Sequence, residues 1–413
     1  RLRDRGVRVH EGHNEDHLES DTEILIYSPA VPESNPERIK AQQLGIPECS
    51  YSDALGELSK QYSTIVVTGT HGKSTTTAML GLMLEAAGYD PTVIVGSLVP
   101  SFPEGNLRIG KGRFLVVEGC EHQANMLKLH PEMVVLTSIE EDHLDFYKNL
   151  ETIKQTFQTF VDRLASDGLV IVNADDAVSQ ALNISNPVWY GSSDSTHYQF
   201  RERSTRDGMQ TAMIHRLVPE ESLGMMTLNV PGSFNVSNAL AATAAAMELG
   251  IPFETCQRVL ANFLGIWRRF ARVGTWKGAD VISDYGHHPT EIKASLQALR
   301  ELFPKGSKKI TVLFQPHLYS RTKALFDDFA KSFFGVDKVF LLPIYFAREE
   351  KDESISSEKL AEAICLEGGD AAAFPDFISA EKAVSVLNFG PNDVFVTMGA
   401  GEAYKVADKI FNF

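Results

Sequence analysis

The chain has 413 residues, of which 43% are hydrophobic and 23% charged, and its formal net charge is −15. That length predicts two or three globular domains, and the negative surface disfavours nucleic acid, whose binding depends on neutralised phosphates. No apolar run is long enough for a membrane helix and no secretory pattern opens the chain, so we expect a cytoplasmic protein without nucleic-acid or membrane partners. The four isolated cysteines predict reduced thiols.

Short strands and helices alternate in residues 1–62. The pattern predicts a strand over 23–27 and a helix over 36–44, with Gly45 just past its end, where a glycine is typical. Residues 1–10 have the pattern of a helix end followed by a strand, so we expect the chain to enter this unit partway. These features predict a small, incomplete α/β domain.

Residues 64–77 have the pattern of a strand, a tight glycine loop and a helix start, the setting of a phosphate-binding loop. Gly69 and Gly72 allow backbone N–H groups to approach phosphate oxygens, and the helix start adds further donors. Lys73 is placed to reach the β- and γ-phosphates, and the Ser74 hydroxyl is placed to bind Mg²⁺. The predicted nucleotide-binding residues are Gly69, Thr70, His71, Gly72, Lys73, Ser74 and Thr75.

The rest of residues 63–273 predicts a central α/β domain. Strands are predicted at 92–95, 114–118, 133–138 and 169–173, and helices at 150–165, 239–246 and 254–263. Residues 186–227 are polar and alternating, which predicts antiparallel strands that cover one side of this domain.

Two residues of this domain are candidate metal ligands because they follow buried strands. Glu118 ends one predicted strand and His143 follows the next, and ligands bind at the carboxyl ends of parallel strands. A Mg²⁺-bound triphosphate needs oxygen ligands with an occasional imidazole, so Ser74, Glu118 and His143 are the predicted metal site. Glu121 and Asp142 lie nearby, and helix capping explains them about as well.

Residues 274–413 predict a second doubly wound α/β domain. Strands are predicted at 279–284, 309–314, 338–342 and 394–398, and helices ending at 302, over 357–367 and at the end of the chain. Arg268 and Arg269 precede this domain, where a basic pair forms either a solvated linker or a phosphate clamp. Asp284 ends a strand, where it can accept ribose hydroxyls.

Histidine and arginine residues follow two strands of this last domain. His287 and His288 are adjacent, and an adjacent pair is by itself more often structural than functional. His317 and Arg321 follow the next strand and are candidates for binding an anionic group.

Seven motifs together resemble the Mur ligase family, which makes the peptide stem of peptidoglycan. Four match the pattern shared by the family: Thr68–Thr76, Glu140–Asp145, Gly232–Asn235 and Arg268–Phe270. Three resemble the branch that attaches L-alanine: Asp284–Glu291, Phe314–Thr322 and Ile344–Glu349. The similarity runs in order over nearly the whole chain.

The resemblance implies an α/β fold of three domains. These are a UDP-binding Rossmann-like domain over 1–62 without its glycine-rich start, a P-loop ATPase domain over 63–273, and a Rossmann-like amino-acid domain over 274–413. It implies that ATP and Mg²⁺ drive ligation of L-alanine to the carboxylate of UDP-N-acetylmuramate through an acyl phosphate. A monomer or a homodimer is expected.

The resemblance also implies residue roles. It assigns Lys73 and Ser74 to ATP and Mg²⁺, Glu118 and His143 to the metal, Asn235 to the adenine, Arg269 to the phosphates, Asp284 to the nucleotide, Tyr285, His287, His288, His317 and Arg321 to the substrates, and Ser28 and Ala30 to the uridine nucleotide. Lys73, His288 and Arg321 are the residues expected to act in catalysis.

Two alternatives remain at this point. A sister ligase would add another amino acid or a peptide to the same precursor, or glutamate to folate, although the loop Tyr285–His288 argues against folate. A P-loop ATPase or kinase would drive a change in a partner, but it would not explain the histidines and arginines of the third domain.

Overall fold

The computed structural model describes residues 2–206, 208–347 and 349–411, and it has three α/β units. The expected α/β fold in three domains is confirmed. Arg348 of the Ile344–Glu349 motif lies outside the described residues. No helix in the described part of the chain combines the length and the hydrophobicity that crossing a membrane requires.

The first unit is small, as the sequence predicts. It contains strand β1 (Leu25–Tyr27), helix α1 (Pro36–Leu44), strand β2 (Glu48–Ser50) and helix α2 (Tyr51–Ser59), after 3₁₀ turns at Arg3–Arg5 and Glu15–His17. The two strands pair in parallel. Gly45 adopts φ +69° directly after α1, because the left-handed turn that ends this helix suits a residue without a Cβ.

Helix α2 packs tightly on the central domain. A Cβ on Gly56 would lie 2.5 Å from the carbonyl oxygen of Lys128, so only glycine allows this approach. Lys128 Nζ also lies 2.8 Å from Asp53 Oδ1, and Ser52 Oγ donates to Asn125 Oδ1 at 2.8 Å. Backbone packing and polar contacts therefore both attach the first unit to the second.

The central domain is built on one sheet of ten strands. Its strands are β3 (Ser63–Thr68), β4 (Thr92–Ile94), β5 (Leu107–Arg108), β6 (Phe114–Gly119), β7 (Met133–Leu136), β8 (Leu169–Asn173), β9 (Pro187–Gly191), β10 (Tyr198–Arg206), β11 (Met209–Leu217) and β12 (Glu220–Leu228). The spatial order is β12-β11-β10-β9-β8-β7-β3-β6-β4-β5. The strand before the phosphate loop, β3, thus lies between β6 and β7, whose ends carry the predicted metal ligands.

Helices cover both faces of this sheet. They are α3 (Lys73–Ala86), α4 (Leu144–Tyr147), α5 (Leu150–Val161), α6 (Ala177–Gln180), α7 (Ser233–Glu248) and α8 (Phe253–Ala261), with a kinked 3₁₀ segment at His122–Lys128. The alanine-rich α7 packs against α3 with α8 in one core, while α5 packs in a second core on the opposite face. Because alanine has no side chain beyond Cβ, α7 can approach α3 closely.

The prediction for residues 186–227 is only partly correct. Strands β10, β11 and β12 form an antiparallel meander, but β9 pairs in parallel with both β8 and β10. The meander also extends the same sheet instead of covering one side of it. Alternation predicts that a strand has one exposed face, but it carries no information on which neighbour that strand joins.

The third unit is a six-stranded sheet between two helical layers. Its elements are β13 (Ala271–Trp276), β14 (Ala279–Asp284), α9 (Pro289–Leu302), β15 (Lys309–Phe314), α10 (Tyr319–Ala324), α11 (Phe326–Ala330), a 3₁₀ turn at Lys331–Phe333, β16 (Lys338–Leu341), α12 (Ser357–Leu366), β17 (Ala371–Ala373), α13 (Phe377–Ser385), β18 (Asp393–Met398) and α14 (Tyr404–Phe411). The order is β13-β14-β18-β15-β16-β17, and only β13 is antiparallel. Because β13 begins at Ala271, this sheet starts before residue 274; the domain limits stay predictions.

Candidate functional site between the central and C-terminal domains

A cavity of about 250 Å³ lies where the carboxyl ends of the central and C-terminal sheets face each other. The central domain lines it with His71, Gly72, Ser74, Thr75, Thr137, Ser138, Glu140, Asn173, Tyr190, Phe234, Ser237 and Asn238, and the C-terminal domain with Arg269, Asp284, Gly286, Thr290, Glu291, Ala294 and Ser295. Parallel sheets place their ligands at this end, so the cavity is the candidate nucleotide site.

The phosphate loop begins at the end of β3 and closes at the start of α3. Gly69 has φ +134° and Gly72 has φ +82°, conformations that strain residues with a Cβ. A Cβ on Gly72 would overlap Asn238 Oδ1, and a Cβ on Gly69 would overlap Thr137 and lie 2.8 Å from the carbonyl oxygen of Ser138. The loop therefore has its glycines where both conformation and space demand them.

We expect Gly72→Ala to destabilise the domain by more than the ~1–3 kcal/mol of backbone strain alone, because the new methyl group also meets Asn238. Gly88→Ala is the matched control, since Gly88 has φ +83° but no atom within 4 Å of the added Cβ. Thermal unfolding of the two variants measures the difference. Equal losses of stability would contradict the close contact.

Lys73 is held by the loop itself. Its Nζ donates to the carbonyl oxygens of Gly69 at 2.6 Å and Thr70 at 2.9 Å, and it lies 2.9 Å from Glu121 Oε2. Burial opposes the charge on Lys73, but the acidic groups around it, Glu121 first among them, together outweigh that effect and raise the pKa of the lysine. Glu121 is thus a buried partner of Lys73, not a cap at the surface.

Ser74 and Glu118 form the predicted oxygen pair. Ser74 Oγ donates to Glu118 Oε2 at 3.0 Å, and the amide of Gly96 donates to the other carboxylate oxygen. Burial raises the pKa of Glu118 against the opposing effects of the Gly96 amide and Lys73. A half-buried carboxylate beside a hydroxyl is a donor set that suits Mg²⁺, so the residues present fit the expected ion.

His143 contacts Glu121 and Asp142, and not Glu118, its predicted partner at the metal site. Its Nε2 lies 3.5 Å from Glu121 Oε1 and 3.8 Å from Asp142 Oδ2, while its backbone N–H donates to Asp142 Oδ1 at 2.7 Å. Its φ of +52° places it in the left-handed region. The structure therefore connects His143 to Lys73 through Glu121, and its role as a metal ligand stays a prediction.

A buried ion pair joins the two domains beside this histidine. Arg321 donates from Nε at 2.9 Å and from Nη2 at 2.8 Å to Asp142 Oδ1, and each residue is 6% exposed. Although burial opposes its charge, Arg321 holds the pKa of Asp142 well below its usual range. Arg321 Nη1 lies 3.1 Å from His317 Nδ1, and burial next to cationic neighbours lowers the pKa of His317 to about 3.

His71 bridges the domains on the other side of the phosphate loop. Its Nδ1 lies 3.1 Å from Glu291 Oε1 of the C-terminal domain, and its Nε2 lies 3.4 Å from Glu140 Oε2 of the central domain. Burial works against a charged imidazole, but Glu291 and Glu140 outweigh it and raise the pKa of His71 to about 9. His71 is therefore a cation between two carboxylates at neutral pH.

This raised pKa predicts that the contact between the domains weakens in alkali. The pKa of His71 lies above its unfolded value of 6.5, so its contribution is complete below pH 6.5 and disappears as the pH rises through about 9. The loss should be on the order of 3 kcal/mol. Thermal unfolding between pH 6 and pH 10 measures it, and a His71→Gln variant with the same pH slope as the parent would contradict the assignment.

The histidines after β14 are occupied by protein contacts. His288 is 5% exposed; its Nε2 lies 3.0 Å from the carbonyl oxygen of Glu141, and its Nδ1 accepts the N–H of Thr290 at 3.3 Å. His287 Nδ1 lies 3.2 Å from Glu291 Oε2. Burial, with His71 nearby, lowers the pKa of His288, so its imidazole is neutral at pH 7.

The remaining predicted nucleotide residues differ in how they face the cavity. Arg269 Nη1 donates to Glu291 Oε1 at 3.2 Å, and its guanidinium lies 4.7 Å from the centre of the Tyr285 ring. Asp284 lines the cavity while its carboxylate accepts the amides of Phe270 and Gly286, both at 2.7 Å.

Asn235 is buried and does not line the cavity. Its Nδ2 donates to the carbonyl oxygen of Pro231 at 2.7 Å, whereas its neighbour Asn238 reaches the cavity wall.

Ser28 and Ala30 are exposed in the first unit, where the Ala30 amide donates to Ser28 Oγ. The adenine role of Asn235 and the uridine role of Ser28 and Ala30 therefore stay predictions.

The site contains two acids that the sequence analysis does not select. Glu140 and Glu291 both belong to motifs quoted above, but only the fold shows that they meet His71 from opposite domains. Their position in the loop after β7 and in the first turn of α9, within three residues of the selected histidines, is the signal that could have identified them. Asn173 and Tyr190 of the cavity wall have no such signal.

Family models match three consecutive parts of the chain. The Mur ligase family catalytic domain matches residues 1–63, the Mur ligase middle domain 67–246, and the Mur ligase glutamate ligase domain 268–401. The chain belongs to the Mur ligase family. The predicted membership is therefore confirmed, and the cavity lies between the middle and glutamate ligase domains of a Mur ligase.

Individual Mur ligases are similar to this one over nearly their whole length. UDP-N-acetylmuramate–L-alanine ligase of Acetivibrio thermocellus is 38% identical over 424 residues, covering 99% of this chain and 87% of its own. The enzyme of the same name from Clostridium acetobutylicum is also 38% identical, covering 99% and 88%. The crystal structure of the UDP-N-acetylmuramate–alanine ligase of Thermotoga maritima superposes with a TM-score of 0.84 at 29% identity, covering 100% and 89%.

Proposed function

We propose that this chain is an ATP-dependent ligase that joins L-alanine to the carboxylate of UDP-N-acetylmuramate in peptidoglycan biosynthesis, in the cytoplasm. The observation that carries the proposal is the cavity that the phosphate loop and the C-terminal domain form together. A simple P-loop ATPase has no need of Arg269 and Glu291 from another domain against its phosphate loop. Relatives named for this activity, matched over 99% of this chain and 87–88% of their own length, support the substrates.

The reaction is amide formation through an acyl phosphate. The substrate carboxylate attacks the γ-phosphorus of ATP, ADP leaves, and the amine of L-alanine then displaces phosphate from the acyl phosphate. Phosphoryl transfer of this kind depends mainly on positioning and on stabilising charge. Lys73 and the backbone N–H groups of the phosphate loop supply the positive charge, and the C-terminal domain excludes water from the acyl phosphate.

Mg²⁺ belongs to the proposal because of the oxygen donors at the start of α3. Ser74 and the half-buried carboxylate of Glu118, 3.0 Å apart, are the residues that would hold the ion. When bound, Mg²⁺ neutralises charge on the phosphate oxygens. His317 and Arg321 lie on the C-terminal side and are proposed to receive an anionic group of the substrates, a carboxylate among them.

The proposed base for the amine, His288, has a specific difficulty. Its ring nitrogens contact the carbonyl oxygen of Glu141 and the amide of Thr290, so it can accept a proton only after one of these contacts breaks. We therefore retain His288 as a catalytic candidate only in a state in which the domains have moved.

Phosphate release tests the proposal directly. The chain is incubated with Mg·ATP and UDP-N-acetylmuramate, and L-alanine, glycine, L-serine, D-glutamate or a tripeptide is added singly. Release that requires both the sugar nucleotide and L-alanine supports the ligase. Release with a different amine would overturn the amino-acid assignment within the family, and release with ATP alone would favour an ATPase. Sedimentation of the same sample decides between monomer and homodimer.

A further inference from the structure

Two imidazoles and a carboxylate converge where the central and C-terminal domains meet. His71 of the phosphate loop, Glu140 after β7 and His288 before α9 each offer one atom to a group whose atoms all lie within 4.8 Å of one another. Glu140 Oε2 lies 3.4 Å from His71 Nε2 and 3.8 Å from His288 Nδ1. Ligand atoms around a tetrahedral ion with bonds of about 2.1 Å lie about 3.4 Å apart, so these positions are close to such a site.

Both imidazoles can direct a nitrogen lone pair into this group once zinc displaces the hydrogen on His71 Nε2 and the hydrogen bond that His288 Nδ1 accepts from Thr290. His288 Nε2 contacts the carbonyl oxygen of Glu141, which only accepts, so Nε2 carries the hydrogen and Nδ1 carries the lone pair. His71 Nδ1 faces the carboxylate of Glu291, which can hold a hydrogen on that nitrogen and leave Nε2 to a ligand. Histidines that bind metals normally donate their other N–H to a carboxylate or a carbonyl in this way.

The protein alone gives the two imidazole atoms weak hydrogen bonding, whereas Glu140 Oε2 accepts the Thr290 hydroxyl at 2.7 Å. His71 Nε2 is buried and has no hydrogen-bond partner among the described residues, since Glu140 at 3.4 Å lacks hydrogen-bond geometry. His288 Nδ1 receives only the long 3.3 Å bond from the Thr290 amide. Buried polar atoms without good partners are rare, and an ion between them would satisfy both.

We propose that His71, Glu140 and His288 bind one Zn²⁺ ion, with a fourth position open to water or to an anion. Two imidazoles and one carboxylate form a common zinc donor set, whereas Mg²⁺ prefers oxygen ligands such as Ser74 and Glu118. Because His71 and Glu140 belong to one domain and His288 to the other, the ion ties the two domains together. Bound zinc should therefore slow any opening of the domains during turnover, an expectation that rests on the proposed function. The binding of zinc itself does not rest on it.

Zinc titration of the full chain without nucleotide tests the site. A chromophoric zinc chelator competes for the ion while excess Mg²⁺ occupies oxygen sites. We expect one Zn²⁺ per chain, and a loss of affinity of at least about tenfold in Glu140→Gln and in His288→Ala. His130→Ala is the control, because His130 is exposed and outside the group, and its affinity should equal that of the parent.

Two further measurements test which atoms bind the zinc and whether the ion connects the two domains. X-ray absorption at the zinc edge should give nitrogen and oxygen ligands at about 2.0–2.1 Å; sulfur at about 2.3 Å would indicate a cysteine and overturn the site. Bound zinc should slow hydrogen exchange at the start of α9 in the parent and not in Glu140→Gln. Glu140→Gln keeps the size of the side chain, so this variant decides the result if His288→Ala does not fold. A Glu140→Gln variant that binds zinc with the affinity of the parent would overturn the proposal. All of these readouts stand even if the chain proves not to ligate L-alanine.

Discussion

Lys73→Ala is expected to reduce L-alanine-dependent phosphate release by about 10²–10³-fold or more, the loss typical of removing one donor from a developing negative charge. In the structure Lys73 Nζ lies against two loop carbonyls and Glu121, within the loop that is proposed to hold the triphosphate. We expect the lysine to leave these contacts for the phosphates when nucleotide binds. The effect should therefore fall mainly on turnover, which steady-state rates at saturating ATP measure.

Loss of folding has to be separated from loss of chemistry in this experiment. Removing Lys73 leaves the buried carboxylate of Glu121 without its ammonium partner, and the domain should lose stability. The double variant Lys73→Ala with Glu121→Gln removes both charges and should recover most of that stability without recovering activity. Lys60→Ala, an exposed lysine at the end of α2, should change neither. Recovery of activity in the double variant would assign Lys73 a structural role only.

Asp142→Asn is expected to open the contact between the central and C-terminal domains by about 3–5 kcal/mol, because it leaves the Arg321 guanidinium buried without a counter-charge. Native-state hydrogen exchange at the amides of α10 measures this opening directly, and it avoids a single unfolding energy for a chain of three domains. Exchange there should accelerate by about two to four orders of magnitude.

Two comparisons make the Asp142 result specific. Asp142→Leu combined with Arg321→Met replaces both charges by apolar groups, and exchange should return toward the parent rate. Glu381→Ala removes one partner of the pair with Lys409, whose side chain is 66% exposed, and should change local stability by about 0–1 kcal/mol. Equal effects at both pairs would mean that Asp142 and Arg321 are not a contact between domains in solution.

The sequence predicts the phosphate loop well because its physics is local. The strand end, the positive φ of Gly72 and the helix that begins at Lys73 all depend on neighbours within a few residues. The same holds for strand Ala279–Asp284 and for the end of α9 at Leu302. The pairing of β13 with β14 is local as well, because the two-residue turn Lys277–Gly278 joins them, and the glycine in this turn is the signal that could have identified the hairpin.

In the candidate site, too, some contacts can be predicted from the sequence and others cannot. Ser74 and Glu118 are predicted together from strand order and are found 3.0 Å apart. Glu121, by contrast, could equally have been a surface acid, and only its burial beside Lys73 decides the matter. The bridge from His71 to Glu291 spans 220 positions in the chain, a separation across which spacing carries no information.

The close approach of Gly56 to the backbone of Lys128 has a consequence for how the three domains move. A glycine packed against a carbonyl group allows little sliding, so the first unit and the central domain turn as one rigid body. The C-terminal domain is joined by imidazoles, carboxylates and guanidinium groups, which can exchange partners with water or ligand. We therefore expect opening to be a hinge motion of the last domain alone, in which the first unit stays fixed to the central domain.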